Sequence, residues 1–247
     1  MSTFQPMIKT KPVWFHPHTL IKTIIYVNVF VFAASLVLSG RNIELSMNPF
    51  TALSPSINTL IFLGASGTVP IDHYQEWWSL IAASWLHGGL LHILFNMTAL
   101  FQIGPFVARE FGTHRMFLIY TLSGAAGFYL SYMAGVMVTI GASASLCGLI
   151  GATLFYGKSR GGLYGEAIFK QTSGWVFGLV LFGLLVPNIN NWGHGGGLFA
   201  GIALAWLLGY NERSKENQVH RFCSIFFMGL TAVIIAWAFF SALTIVF

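Results

Sequence analysis

Ser143 is the residue of this chain that could act as a nucleophile. It lies in the stretch 141–145 (GASAS), and no charged residue occurs between Arg115 and Lys158. A serine among small residues in an apolar run is either a helix-packing residue or a nucleophile that a neighbouring base activates. The second interpretation requires a base from another part of the chain.

His194 is the candidate base. It is the second residue of a predicted span at 193–210, and the sequence GHGGG at 193–197, followed by Gly201, gives that span a face of small residues. Small residues let helix backbones approach closely, so a short serine side chain could reach the imidazole. Because we find no acidic residue in the second to sixth predicted spans, the sequence predicts a Ser143–His194 dyad without the carboxylate of a triad.

His92 and Asn96 are candidates for stabilising the oxyanion that such a reaction forms. They are four residues apart in a predicted span at 85–106 and therefore share one helix face. Together with the backbone N–H of Ser143, they could donate hydrogen bonds to a developing negative charge. A structural role near the site is predicted for four residues, which are His87, Gly141, Gly197 and Gly201.

The composition is that of a membrane protein. Of the 247 residues, 55% are hydrophobic and 8% are charged, and the mean hydropathy is +0.71, whereas soluble domains carry about 25% charged residues. This predicts an α-helical protein with several membrane spans. We expect no cofactor, no metal and no nucleic-acid partner, because the two cysteines lack metal-site spacing and the net charge of +5 comes from loops between apolar runs.

Seven spans are predicted from the apolar runs. They lie at 19–39, 85–106, 115–136, 143–157, 172–186, 193–210 and 222–246. This divides the chain into a short cytoplasmic tail (1–17), a six-span core (18–210) and a polar loop with an additional C-terminal span (211–247). The connection at 40–84 is amphipathic and is expected to lie partly in the outer membrane interface.

The basic residues predict a cytoplasmic N-terminus. With that orientation eleven of the twelve lie inside, as the positive-inside rule expects, and only Arg41 lies outside. The eleven are Lys9, Lys11, Lys22, Arg109, Arg115, Lys158, Arg160, Lys170, Arg213, Lys215 and Arg221. We expect an integral multi-pass protein of a bacterial cytoplasmic (inner) membrane, because no organellar transit peptide is visible.

The fourth predicted span is short, which places Ser143 below the outer surface. Only 15 residues separate Ser143 from Lys158, and such a helix is about 22 Å long, compared with about 30 Å for the hydrocarbon core. The apolar segment 134–140 before it is expected to re-enter the membrane. The candidate residues of the second, fourth and sixth spans all fall in the outer half of the membrane, although they are far apart in sequence.

These residues resemble the motifs of the rhomboid family of intramembrane serine proteases. Residues 87–96 (HGGLLHILFN) resemble the His-x4-His-x3-Asn motif of its second span, and 141–143 resemble the Gly-x-Ser motif of its fourth. Residues 194–201 resemble the His-x2-Gly-x3-Gly motif of its sixth span, and 76–78 (EWW) are similar to the segment before the second. The resemblance implies an all-α membrane protein with a rhomboid-like six-helix bundle plus a seventh C-terminal transmembrane helix.

The resemblance also implies a function. It implies a serine endopeptidase with a Ser143–His194 dyad and an oxyanion hole formed by His92, Asn96 and the Ser143 amide. Its partners would be transmembrane protein substrates within the lipid bilayer, cleaved near their outer ends, often after a small residue. Substrates would enter between the second and fifth spans.

Four positions depart from the family pattern. Ala144 stands where many members have glycine, and Cys147 stands where many have an aromatic ring that stacks on the histidine. Ser79 and Ala108 stand where an arginine and a glutamate are common. The cysteine predicts that His194 is held less firmly than in those relatives.

Two other functions are open to a chain with these features. The first is a catalytically inactive rhomboid-like protein that binds transmembrane clients, although both Ser143 and His194 are present. The second is a transporter or channel that uses the histidines as a proton path. That function predicts polar groups through the full membrane depth, whereas the inner halves of these spans are nearly all apolar.

Overall fold

Seven long helices dominate the computed structural model, which describes residues 16–45, 52–186 and 189–246. They are α1 (Pro17–Ser39), α4 (Leu90–Phe111), α5 (Thr113–Met133), α6 (Ser143–Arg160), α7 (Gly162–Leu185), α8 (Asn191–Leu208) and α9 (Gln218–Val246). The connection after α1 contains a two-stranded antiparallel sheet and two short helices. These are β1 (Glu44–Leu45), β2 (Ala52–Ser54), α2 (Ile57–Phe62) and α3 (Ser79–Ala82).

The protein is an all-α membrane protein, as predicted, apart from the small sheet. Five of the long helices, α1, α4, α5, α7 and α9, are long and apolar enough to cross a membrane. The other two long helices, α6 and α8, pack against each other and against α5. The seventh long helix, α9, packs along α5 and also contacts α2 and α3.

Glycines bring the backbones of α6 and α8 into contact. A Cβ atom built on Gly197 would overlap the carbonyl oxygen of Ala144, and one built on Gly201 would overlap that of Gly148. Close approach through small residues is a common way of packing helices within membranes. The contact holds the first turns of the two helices side by side.

The loop before α6 is fixed by the connection that precedes α4. Ser66 and Thr139 exchange backbone hydrogen bonds of 2.9 and 2.7 Å, and the Gly141 N–H donates to the Ala83 carbonyl oxygen at 2.9 Å. Irregular backbone within a membrane protein needs such internal partners. These bonds determine where Ser143, the first residue of α6, lies.

Three predicted span boundaries are wrong by more than four residues: both ends of the second span, since α4 ends at Phe111 where 106 was predicted, and the start of the fifth. The second span was predicted at 85–106, but α4 begins at Leu90, because a short 3-10 turn ends at Trp85 and extended glycine precedes the helix. His87 therefore lies in a loop. The fifth span was predicted at 172–186 after a loop at 158–171, but α7 already begins at Gly162, since Gly161 and its neighbour make the turn with positive φ.

The longer helices also contradict the prediction that the second to sixth spans lack acidic residues. Glu110 lies in the last turn of α4, and Glu166 lies near the start of α7. Both are at the end of the bundle opposite to Ser143. Of the predicted tail at 1–17, residues 1–15 lie outside the described residues, as do 46–51 of the predicted connection at 40–84 and 187–188 between the fifth and sixth predicted spans.

A polar network closes the end of the bundle opposite to Ser143. The buried guanidinium of Arg115 donates to the carbonyl oxygens of Ser214 and Lys215 at 2.9 and 3.0 Å. Glu216 Oε1 accepts the backbone N–H groups of His114 and Arg115 at the start of α5. The segment that leads into α9 is thereby attached to the turn between α4 and α5.

The glycine contact predicts that Gly201→Ala destabilises the protein by about 1–3 kcal/mol, because the added Cβ must displace the backbone of α6. Gly195→Ala is the matched control in the same helix, since none of the described residues has an atom within 4 Å of its Cβ position. Thermal unfolding in detergent measures both. A Gly201→Ala variant that unfolds at the wild-type temperature would contradict the tight α6–α8 packing.

Candidate active site

The structure places the side chains of Ser143 and His194 in hydrogen-bond contact. Ser143 Oγ lies 2.8 Å from His194 Nε2, although 51 residues separate the two in sequence. Ser143 opens α6 and His194 lies in the first turn of α8, and both are half-buried. A serine hydroxyl at this distance from an imidazole nitrogen can transfer its proton to the ring.

The second ring nitrogen of His194 makes no hydrogen bond to the described residues. Its Nδ1 is buried and has no partner among the residues that the structure describes. A neutral imidazole whose Nε2 accepts a proton carries its own proton on Nδ1. Within the described part of the chain, the arrangement is thus a pair of residues rather than a triad with a carboxylate.

The backbone at Ser143 can bind a negative charge. The residue before it, Ala142, is the N-cap of α6 and has no side-chain atom that could accept from the first-turn N–H groups. The positive end of the helix dipole lies at the same place. The Ser143 amide is therefore a suitable hydrogen-bond donor to an oxyanion.

The His92 ring lies next to the serine. The Gly88 N–H donates to His92 Nδ1 at 3.3 Å, so the neutral ring carries its proton on Nε2. A Cβ built on Gly141 would lie 2.6 Å from that Nε2 and 3.8 Å from Ser143 Oγ. The donor N–H of His92 consequently lies on the side of the ring that borders the Ser143 loop.

Asn96 and His87 both lie close to His92. Asn96 is buried one helical turn further along α4, and its Nδ2 donates to the His92 carbonyl oxygen at 2.9 Å, which leaves a second Nδ2 proton. His87 is fully buried, and the centre of its ring is 5.1 Å from that of His92 in an edge-on arrangement. Neither nitrogen of His87 has a hydrogen-bond partner among the described residues.

Ser145 lies away from the pair. Its Oγ donates to Ser84 Oγ at 3.3 Å, and the residue is fully buried. Cys147, one turn after Ser143, is buried as well, and no aromatic ring stacks on His194 in the part of the chain that the structure describes. The cysteine at 147 thus leaves His194 without a stacking partner among the described residues.

Asn190 is a residue near the site that the sequence reasoning missed. It is the N-cap of α8, and its Oδ1 accepts the Gly193 N–H at 2.9 Å. Its position four residues before His194 was a usable signal, because asparagine is among the preferred N-cap residues. The hydrogen-bond partners of its side chain across the loop, Ser131 and Thr139, have no sequence signal of their own.

Comparison with known proteins gives one family. The family model described as Rhomboid domain matches residues 74–211, more than half of the chain. RHOMBOID-like protein 6, mitochondrial, of Arabidopsis thaliana is 35% identical over 179 residues, which are 69% of this chain and 58% of that protein. RHOMBOID-like protein 1 of the same plant is 31% identical over 206 residues, 76% of this chain and 52% of that protein.

A bacterial relative carries the word protease in its name. Rhomboid protease GluP of Bacillus subtilis (strain 168) is 34% identical over 161 residues, which are 63% of this chain and 31% of that protein. The chain therefore spans from about a third to about three fifths of the length of these three relatives.

The contact between Gly141 and His92 predicts that Gly141→Ala slows the reaction of Ser143 with a fluorophosphonate probe by about 10-fold or more, because the methyl group must displace the His92 ring. Gly135→Ala is the matched control. Both glycines have positive φ, +120° and +79°, but no atom of the residues that the structure describes lies within 4 Å of a Cβ at Gly135. Equal labelling rates in the two variants would show that His92 does not border the reacting serine.

Proposed function

The chain belongs to the rhomboid family, and we propose that it is an intramembrane serine endopeptidase. It hydrolyses peptide bonds in or near the transmembrane segments of membrane proteins, with Ser143 as nucleophile and His194 as base. The observation that carries the proposal is the 2.8 Å contact between Ser143 Oγ and His194 Nε2.

Acylation begins at this contact. Ser143 Oγ attacks the carbonyl carbon of the scissile bond while His194 Nε2 takes the hydroxyl proton. The carbonyl oxygen becomes an oxyanion, and the Ser143 N–H, the His92 Nε2–H and the second Nδ2 proton of Asn96 donate to it. When the tetrahedral intermediate collapses, His194 returns the proton to the leaving amine and the acyl group stays on Ser143.

Deacylation repeats the same proton transfers with water. His194 takes a proton from the water that attacks the ester, and it returns that proton to Ser143 Oγ as the new carboxyl group leaves. Because no carboxylate of the described residues binds Nδ1, the charge of the imidazolium is stabilised less than in a triad. This supports a slow enzyme whose rate depends on how well the two side chains are oriented.

The bundle supports lateral entry of a transmembrane substrate between α4 and α7. Of the helices in the core, α7 packs mainly against α6 and leaves most of its surface exposed. We assign the six-span core at 18–210 to catalysis and place 211–247 outside it. The basic residues support a cytoplasmic N-terminus, and a bacterial cytoplasmic membrane is our proposal for the location.

The alternative is an inactive rhomboid-like protein that binds transmembrane clients. Such a protein has no need to keep a serine hydroxyl and an imidazole in hydrogen-bond contact, and this favours the protease. The two functions differ in whether a bound client is cut, so a cleavage assay separates them.

The proposal predicts that the purified protein, in proteoliposomes, cleaves a model transmembrane substrate, and that Ser143→Ala and His194→Ala each abolish cleavage. Gel analysis and mass spectrometry of the products measure this. Ser145→Ala is the matched control, because Ser145 lies two residues away and contacts Ser84, and it should retain cleavage. Cleavage that persists in Ser143→Ala would defeat the assignment.

The proposed oxyanion hole predicts that replacing Asn96 lowers the activity without abolishing it. Asn96→Ala should lower kcat by about one to three powers of ten, because one preorganised donor is lost in the transition state. KM should change little, since the ground-state carbonyl gains less from that donor. Steady-state kinetics on the same substrate test this, and an unchanged kcat would remove Asn96 from the oxyanion hole.

A further inference from the structure

We propose that Asn190 is a positioning residue that sets the distance between Ser143 and His194, an inference that rests on the proposed function. Neither a carboxylate nor a stacked ring orients His194 within the described part of the chain. Another element must therefore hold the imidazole against the hydroxyl. The hydrogen bonds of Asn190 connect the two segments that carry them.

Both polar atoms of the Asn190 side chain make hydrogen bonds. Its Oδ1 accepts the Gly193 N–H at 2.9 Å, and its Nδ2 donates to Ser131 Oγ at 2.8 Å and to Thr139 Oγ1 at 2.7 Å. An amide nitrogen has two protons, so both are engaged. The three bonds join the start of α8, the end of α5 and the loop that leads to α6.

One end of this connection is His194 itself. The His194 N–H donates to the Asn190 carbonyl oxygen at 3.1 Å, so Asn190 is one helical turn from the imidazole. A rotation of the first turn of α8 would move the ring relative to Ser143. The cap fixes that first turn.

The other end is the loop before Ser143. Thr139 lies four residues before the nucleophile, and its backbone is already paired with Ser66. Ser131 gives its own proton to the Gly127 carbonyl oxygen at 2.9 Å, so it accepts from Asn190. Asn190 thus ties α8 to two segments that are themselves fixed.

Helix capping alone does not require this amide. A serine provides the single acceptor that an N-cap needs, and it caps helices about as well as asparagine. The two donor bonds to Ser131 and Thr139 are what only the amide supplies. Asn190→Ser therefore keeps the cap and removes the connection.

The experiment measures kcat, KM and thermal unfolding for Asn190→Ser and for Thr139→Val, which removes the same bond from the other side without touching α8. Each variant should lower kcat by about 10-fold to 100-fold, because small displacements of reacting groups have effects of that size. KM and the unfolding temperature should stay near those of the wild type. The double variant should lose no more than the larger single loss, since both remove one connection.

Two control variants distinguish a loss of positioning from a general loss of structure. Thr139→Ser keeps a hydroxyl and should restore most of the rate. Asn191→Ala removes the neighbouring amide, whose Nδ2 donates to the Gly183 carbonyl oxygen of α7 at 2.8 Å, and it should leave kcat within about two-fold of the wild type because that bond does not reach the Ser143 loop.

The outcomes distinguish this inference from the proposed function. A wild type that neither cleaves nor reacts with a serine probe overturns both. An active wild type with wild-type kcat in Asn190→Ser or in Thr139→Val overturns the positioning role alone. If Asn190→Ser fails to fold, Thr139→Val with its Thr139→Ser rescue decides the question.

Discussion

The backbone contact between α6 and α8 is the constraint on which the site depends. A serine side chain is short, so its hydroxyl reaches an imidazole on another helix only when the two helix axes are unusually close. Gly197 and Gly201 make that approach possible, since any side chain at either position would meet a carbonyl oxygen of α6. The 2.8 Å contact between Ser143 and His194 is the chemical consequence of this packing.

The helices determine which segments meet, but loops determine how the side chains of the proposed dyad are oriented. The Gly88 N–H fixes the tautomer of His92, and the Gly141 N–H is held by the Ala83 carbonyl oxygen. Thr139 is paired with Ser66 on one side and with Asn190 on the other. Ser143 and His194 therefore lie beside irregular backbone whose polar groups are hydrogen-bonded within the protein rather than to water.

The sequence predicts most residues of the candidate site, because polar and ionisable side chains are rare within apolar membrane spans. Ser143, His92, Asn96 and His194 stand out as polar groups, and the glycines mark the helix contact. The start of α7 was predicted ten residues too late, because Glu166 and Lys170 have the charge of loop residues although they belong to the helix. The turn before α7 is made by backbone conformation at Gly161. The partners of Asn190 could not be predicted, because Ser131 and Thr139 are ordinary residues that only the fold brings together.

The most direct test of the account is to map where a fluorophosphonate probe reacts with the native protein in membranes. Mass spectrometry of the digested protein identifies the modified residue. The account predicts an adduct on Ser143, and its loss in His194→Ala, because the hydroxyl reacts only when the imidazole takes its proton. An adduct on Ser145, or undiminished labelling of Ser143 in His194→Ala, would contradict it.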